Sequence, residues 1–401
     1  MRNMMMVFFL YAIMPTVAVH GAEICGWRTD GTGRYPQATP EIRWSAKENV
    51  AWATPMPAWS NSTPVITGNR LFVCAEQAEL LCLDLKQGTI LWQRSNGLDQ
   101  LDGSPKGGMP KTHGTNGYSS PTPVTDGRQV FALFGNGVAA AYDLEGSRQW
   151  ITRVGAPQHD WGHSASPALA DGVLVCLVYD SLVGLDATTG VEKWRLPAGA
   201  RWGSPIVVRI ARTEIFLTPN GRFVRPSDGK VIDESLPKLD YSSPVVVGKV
   251  IYCIEGKSMA FTLPSSVRDK PKRLWTQRIK GSRHYASPLI HNGLIYTISR
   301  EEHFTVLDAV TGDIVYHKKF DVAGGNSAYP SPTLGGDHIY VGFEAGTTIV
   351  IEPGRTYREV ARNHLEKYRS SPVFVKERMY LRTMGHLYCI VGPESMARYA
   401  N

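Results

Sequence analysis

The chain has 401 residues, of which 43% are hydrophobic, and it carries a formal net charge of +7. The hydrophobic content is sufficient for a large buried core. The 39 glycines and 26 prolines exclude a helical bundle and favour an all-β, turn-rich protein. A basic run at 268–280 is interpreted as a solvated turn, so no nucleic-acid partner is expected.

Residues 1–22 are typical of a signal peptide. Arg2 supplies the positive start, residues 4–14 the apolar core, and Gly21 with Ala22 the small-residue exit. A membrane anchor is the alternative, although the apolar stretch is short for a bilayer. We therefore expect an exported, periplasmic or extracellular protein that is not integral to a membrane.

An N-terminal extension at 23–48 precedes the first strand-like segment. Residues 49–54 alternate between polar and apolar side chains and include Trp52. This segment has no neighbouring strand of its own repeat, so its partner must lie elsewhere in the chain.

A short segment that contains Ser or Thr, ends in proline and leads into an apolar run recurs eight times. Most of the repeats are close to 40 residues long, which is the period of propeller blades. The anchoring prolines are Pro64, Pro123, Pro167, Pro205, Pro244, Pro288, Pro332 and Pro372.

The third repeat shows the blade pattern most clearly. Val173–Val178 is rich in β-branched residues and predicts the second strand. Asp186, Gly190 and Trp194 follow at intervals of four. We expect the aspartate to cap a turn by accepting backbone N–H bonds, and the tryptophan to pack between blades.

The last repeat lacks an outer strand and ends near Ile390, and residues 49–54 can supply that strand. The prediction is therefore an all-β, eight-bladed β-propeller of four-stranded antiparallel blades at 49–391, closed by the N-terminal strand, with a tail at 392–401. Seven blades are the alternative if the degenerate fourth repeat, at Pro205, forms no sheet. A monomer is expected.

Four of the six cysteines fall at matching strand positions in different repeats, Cys176 with Cys253 and Cys82 with Cys389. This register predicts buried, apolar thiols. Cys74 and Cys82 are the one pair that could bridge a hairpin, and no metal-binding spacing is present.

The loops that precede the eight prolines are expected to converge on one face around the axis. Ten of their residues, at three or four positions before the proline, are candidates for ligand binding. They are His163, Arg201, Trp202, Asp240, Tyr241, His284, Tyr285, Tyr329, Tyr368 and Arg369. Aromatic walls with a few polar groups are typical of a ligand site. Packing between blades is the alternative, most of all for the tyrosines.

No catalytic motif of a hydrolase or of a phosphate-binding loop occurs, and we predict no catalytic residue and no metal site. A long insertion at 97–117, rich in Gly and Pro, is the type of loop that often forms a lid or a partner-binding arm.

The proline-anchored strand, the Leu-Asp-x-x-x-Gly-x-x-x-Trp turn and the period near 40 resemble the pyrroloquinoline-quinone (PQQ)-type repeat. The resemblance covers about residues 49–390 and implies an eight-bladed propeller like those of quinoprotein dehydrogenases and of outer-membrane assembly lipoproteins. The adjacent cysteine pair of the quinoprotein alcohol dehydrogenases is absent from this sequence.

Three functions are consistent with these features. The first is an exported, non-catalytic scaffold that binds an envelope protein or polysaccharide and holds no cofactor. The alternative is a PQQ-dependent oxidoreductase that uses PQQ with calcium. A third, weaker hypothesis is glycan binding on the aromatic loops.

Overall fold

Eight sheets, each with four antiparallel strands, make up the computed structural model, which describes residues 25–103, 109–157, 160–199, 202–322 and 327–396. A short parallel strand is added to one of them. The predicted signal peptide and the end of the predicted tail lie outside these ranges. The first strands are β1 (Arg34–Tyr35), β2 (Val50–Pro55), β3 (Val65–Thr67), β4 (Arg70–Ala75), β5 (Glu79–Asp84), β6 (Ile90–Ser95), β7 (Val124–Thr125), β8 (Gln129–Leu133), β9 (Val138–Asp143), β10 (Arg148–Arg153), β11 (Ala168–Ala170), β12 (Val173–Val178), β13 (Ser181–Asp186), β14 (Glu192–Pro197), β15 (Ile206–Ile210), β16 (Thr213–Leu217), β17 (Phe223–Val224) and β18 (Val231–Asp233). The remaining strands are β19 (Val245–Val247), β20 (Val250–Cys253), β21 (Lys257–Thr262), β22 (Arg273–Arg278), β23 (Leu289–His291), β24 (Leu294–Ile298), β25 (His303–Asp308), β26 (Ile314–Lys319), β27 (Thr333–Gly335), β28 (His338–Gly342), β29 (Thr347–Ile351), β30 (Glu359–His364), β31 (Val373–Val375), β32 (Arg378–Arg382) and β33 (His386–Ile390).

Helical structure in these ranges is confined to short turns, α1 (Arg28–Gly31), a 3-10 turn at Leu98–Gln100, and α2 (Pro393–Met396). Blades 1 to 7 are consecutive groups of four strands, from β3–β6 to β27–β30, and blade 8 combines β31–β33 with β2. The prediction of an all-β, eight-bladed propeller is confirmed. Blade 4 is complete although β17 and β18 have only two and three residues, so the seven-blade alternative is wrong.

The N-terminal strand closes the propeller as predicted. Strand β2 pairs antiparallel with β33, and Trp52 lies opposite Cys389. The outer strand of blade 8 is therefore supplied by the N-terminal part of the chain. Without it, blade 8 would have three strands and the edge of β33 would be open.

A closed ring of eight hydrogen bonds joins the blades at the inner ends of their sheets. The residue directly before each repeat proline is Ser or Thr, and its hydroxyl oxygen accepts the backbone N–H of the equivalent residue in the preceding blade at 2.7–3.1 Å. The ring members are Thr63, Thr122, Ser166, Ser204, Ser243, Ser287, Ser331 and Ser371, and the N–H of Ser371 closes the ring on Thr63. Each of these side chains is at least nine-tenths buried.

Tryptophan side chains join neighbouring blades at the periphery. The Trp150 ring of blade 2 packs on Gly190 of blade 3, and its indole N–H donates to the Ala187 carbonyl at 2.8 Å. Asp186 caps the same turn by accepting the backbone N–H groups of Thr188 and Thr189 at 3.0 Å. The packing recurs in Trp52–Gly88, Trp92–Gly146, Trp194–Gly229 and Trp275–Gly312. Both predictions for this turn, the aspartate cap and the ring between blades, are confirmed.

The segment that follows residue 24 crosses the propeller axis and contacts the inner strands of several blades. Its Cys25 carbonyl accepts the N–H of Thr125 in blade 2, and β1 pairs in parallel with β27 of blade 7. Arg28, 1% exposed, donates to the carbonyls of Ser287 (2.8 Å) and Pro332 (3.3 Å) in blades 6 and 7. Only a segment on the axis can contact inner strands in such widely separated blades.

Replacement of one serine of the hydrogen-bonded ring tests how much that ring contributes to the stability of the fold. In Ser243→Ala the buried N–H of Ser204 loses its acceptor, so we expect unfolding to become easier by about 1–3 kcal/mol. Urea unfolding followed by tryptophan fluorescence measures the change. Ser181→Ala, at a site where the serine is partly exposed, is the control and should shift the midpoint little. Equal midpoints for both variants would contradict a structural role of the ring.

A pair of glycine variants separates backbone strain from the contact between blades. Gly190 (φ +71°) and Gly172 (φ +68°) have nearly the same left-handed conformation, but a Cβ at Gly190 would lie 2.6 Å from the Trp150 ring, whereas at Gly172 nothing lies within 4 Å. We expect Gly172→Ala to cost about 1–2 kcal/mol through strain and Gly190→Ala about 1–3 kcal/mol more. Thermal unfolding of both variants measures the difference in stability. Equal losses of stability would mean that the contact between Trp150 and residue 190 adjusts to the added methyl group without cost.

Candidate functional site: the axial cavity

A cavity of about 450 Å³ opens on the axis on the face where the repeat prolines begin the inner strands. We call it the axial cavity. The residue three positions before the repeat proline lines it in every blade. These eight residues are Asn61, Ser120, Ser164, Trp202, Tyr241, Tyr285, Tyr329 and Arg369, and Thr115, Asn116, Trp161 and Arg283 complete the described lining.

The hydrogen-bonded ring explains why this position faces the cavity. The residue before each proline is held in the ring, and the residue before that is buried in all eight blades. In blade 4 this second residue is Gly203, where a Cβ would collide with the Ser242 carbonyl of the next blade. The third residue is therefore the first one above the ring whose side chain has space, and it is half-buried in each blade.

Blades 4 to 7 form an aromatic wall of the cavity. Tyr285 and Tyr329 are stacked with ring centroids 5.0 Å apart and an interplanar angle of 4°. Tyr241 packs at 85° to Tyr285 with a centroid distance of 5.2 Å. Trp202 lies at 68° to Trp161, which comes from the loop into blade 3.

Blades 1 to 3 form the polar wall opposite. The amide nitrogen of Asn61 donates to the Thr115 carbonyl at 2.8 Å and to the Ser120 hydroxyl at 2.7 Å. The amide of Asn116 donates to the Trp161 carbonyl. Thr115 and Asn116 belong to the long insertion at 97–117, so the described part of that insertion contributes to the wall, and its role as a lid or partner-binding arm stays a prediction.

Two arginines are the charged groups of the described lining. Arg369 donates to the Glu344 carboxylate, to Asn61 at 3.3 Å, and to the Thr115 carbonyl at 2.8 Å. Its guanidinium also lies over the Tyr329 ring, 5.4 Å from the centroid. Arg283 is exposed and donates to the Tyr285 hydroxyl at 3.2 Å. The lining therefore has an excess of positive charge.

Glutamates that follow the second strands of blades fix the loops, and these residues are not among those predicted from the sequence. Glu76 accepts the N–H groups of Tyr118 and Ser119 at 2.8–3.0 Å, and Glu255 accepts those of Tyr241 and Ser242 at 2.8 Å. Burial raises the pKa of both carboxyls. The available signal was a Glu that recurs 11 to 13 residues after Pro64, Pro244, Pro288 and Pro332.

The ten candidate residues divide according to their distance from the proline. Those at the third position before it, Trp202, Tyr241, Tyr285, Tyr329 and Arg369, come together in the axial cavity. Those at the fourth position do not line it: His163, His284 and Tyr368 are buried, and Asp240 is exposed outside the lining. Arg201 lies outside the described residues. Ligand binding by any of the ten stays a prediction.

The buried His284 makes stability depend on pH. Burial lowers its pKa from 6.5 to about 4, so it stays neutral in the folded protein while the unfolded chain takes up a proton below about 6.5. Its contribution is complete above that pH and is lost as the pH falls, by up to about 3 kcal/mol near pH 4. Urea midpoints from pH 7 to 4 should fall less steeply for His284→Gln than for the wild type. The exposed His364→Gln should retain the wild-type slope, and a wild-type slope in His284→Gln would contradict this role.

The described lining does not fit a calcium-bound quinone. Calcium takes oxygen ligands, commonly from carboxylates, and no Asp or Glu lines the described cavity. The ranges that the structure describes also contain no group of three His, Cys, Asp or Glu residues able to hold a metal ion.

The cysteines at strand positions are buried as predicted. Cys74, Cys82, Cys176, Cys253 and Cys389 are fully or almost fully inaccessible, and burial raises the pKa of each thiol to about 12. No disulfide joins Cys74 to Cys82. These thiols are therefore unavailable as nucleophiles at neutral pH.

The fold and the eightfold set of loops define the protein as a PQQ-like β-propeller. A family model described as "Outer membrane protein assembly factor BamB" matches residues 41–160, 135–263 and 267–390, and the chain belongs to this family. A curated relative, outer membrane protein assembly factor BamB of Moranella endobia (strain PCIT), is 21% identical over 304 residues. The match covers 75% of this chain and 64% of the relative's length.

Solved structures share the fold at low identity. BamB from Moraxella catarrhalis superposes with a TM-score of 0.67 at 12% identity, over 86% of this chain and 97% of that one. The quinohemoprotein alcohol dehydrogenase of Comamonas testosteroni gives a TM-score of 0.66 at 12% identity, over 92% and 80% of the two chains. The same propeller thus occurs in an assembly factor and in an enzyme, and the fold does not distinguish between these functions.

Among the described residues, the helices are all too short to cross a membrane.

Proposed function

We propose that this chain is an exported, non-catalytic propeller that binds a partner protein of the cell envelope through the axial cavity. The observation that carries the proposal is the convergence of one side chain from each of the eight blades on a single open cavity. The use of the same loop position in all eight blades to line one surface suits recognition, because rigid inner strands hold every contributing loop.

The family supports a protein as the partner. Its members are described as outer membrane protein assembly factors, which suggests a role in an assembly of envelope proteins. The aromatic wall adds to this, since Tyr, Trp and Arg are the residue types that contribute most to binding at protein interfaces. Trp202, Tyr241 and Arg369 are half-buried, so each keeps part of its surface for a partner.

The oxidoreductase alternative has less support. It requires a cofactor in the cavity, and the described lining offers two guanidiniums and no carboxylate for a calcium ion. Glycan stacking also has less support at Tyr329, because one face of its ring packs on Tyr285 and Arg369 lies over the ring.

Site-specific photo-cross-linking tests the proposal. Tyr241 is replaced by the photoreactive p-benzoylphenylalanine, which keeps an aromatic ring in the cavity wall. After irradiation in cells of the source organism, we expect one envelope protein to be cross-linked, and we expect excess purified wild-type propeller to compete for it. Mass spectrometry of the adduct identifies that protein.

The same replacement at Val310 is the control, because this side chain is 79% exposed on a peripheral turn of blade 6. Identical adducts from both positions, or none from Tyr241, would contradict a partner at the axial cavity. Saturable fluorescence quenching by PQQ with calcium, together with reduction of a dye by an alcohol substrate, would replace the scaffold function with the oxidoreductase.

A further inference from the structure

We infer that the axial cavity binds a carboxylate at the tip of an acidic peptide segment of the partner. This inference rests on the proposed function and specifies the chemistry of its ligand. Three features of the cavity lead to it: the charge of its lining, the orientation of its aromatic rings, and the closure of the axis behind it.

The charge of the lining favours an anion. Arg283 and Arg369 line the cavity, and no carboxylate does so in the described part of the chain. Arg369 is compensated by Glu344, with which it forms a largely buried ion pair. Arg283 contacts a neutral phenol, and the nearby Glu301 lies outside the lining, where its carboxylate accepts the N–H of Ser282 at 3.1 Å. A ligand carboxylate would therefore gain most from Arg283.

The aromatic rings present their edges to the ligand. Tyr285, Tyr329 and Arg369 come from three consecutive blades and are stacked in that order around the axis. Because the neighbours cover the faces of Tyr329, its edge and hydroxyl group are what remain for the cavity. Aromatic edges carry partial positive charge and hydroxyls donate hydrogen bonds, so these groups complement a carboxylate better than a sugar ring that requires an open face.

The axis is closed behind the cavity, which limits how a chain can enter. Arg28 lies buried on the axis and binds carbonyls of blades 6 and 7 at the start of their inner strands. An extended segment therefore cannot pass through the propeller. It must enter and leave by the same opening, so a loop tip or a chain end with one acidic group fits the available space of about 450 Å³.

Two tetrapeptides that differ by one functional group test the inference. The probes are N-acetyl-Gly-Phe-Asp-Gly-amide and its Asn analogue, titrated into the mature protein while the fluorescence of the tryptophans is followed, with calorimetry as a second readout. We expect the Asp peptide to bind at least about tenfold more tightly than the Asn peptide, and its affinity to fall with added salt.

Charge reversal at Arg283 is the matched variant. Arg283→Glu should weaken binding of the Asp peptide by about tenfold or more and leave the Asn peptide almost unchanged. Arg278→Glu makes the same change of net charge on the exposed surface of blade 5, outside the cavity lining, and should bind like the wild type. Equal urea midpoints of the two variants show that the fold is intact.

Each other outcome overturns the inference. Equal affinities for the two peptides, no binding of either at millimolar concentration, or no effect of Arg283→Glu would exclude the carboxylate site. Tighter binding of a galacturonate trimer than of the Asp peptide would assign the cavity to an acidic saccharide. If the peptides fail while the cross-link from Tyr241 persists, the partner-binding function stands and the carboxylate inference alone is wrong.

Discussion

The circle of eight hydrogen bonds between Ser or Thr hydroxyls and backbone N–H groups is the constraint on which the other features depend. Each hydroxyl belongs to one blade and each N–H to the blade before it, so no blade can satisfy its own inner end. These groups are buried, and a missing partner is therefore costly. The circle holds the eight loops at the same height above the core. For this reason the residues three positions before the eight prolines line one common cavity.

The peripheral contacts set the spacing that the inner circle requires. A tryptophan ring on one blade lies against a glycine of the next, and the indole N–H binds a carbonyl in the same turn, as for Trp150 and Ala187. Inner hydrogen bonds alone would leave the outer strands free to tilt. At the five junctions where a tryptophan packs on a glycine, neighbouring blades are joined at two radii, so the loops there can carry different side chains without disturbing the packing of the blades.

The repeat predicted the fold almost completely, because the period and the turn residues are local signals that recur along the chain, and an outer tryptophan accompanies them in several copies. It predicted the site only in part. Trp202 and His163 are both polar or aromatic loop residues close to a proline, but one faces the cavity and the other is buried, and only the ring geometry distinguishes the two positions. The role of Arg28 could not be predicted, since it lies outside the repeats and its partners in blades 6 and 7 are carbonyls more than 250 residues away.

Closure by β2 makes the order of synthesis matter. Strand β2 ends at Pro55, and its partner β33 begins only at His386, so more than 300 residues must follow before the first strand can pair. A chain that stops before β33 leaves β2 without its partner. Blade 8, which follows the loop that carries Arg369 into the axial cavity, is therefore complete only when the two ends of the propeller have met.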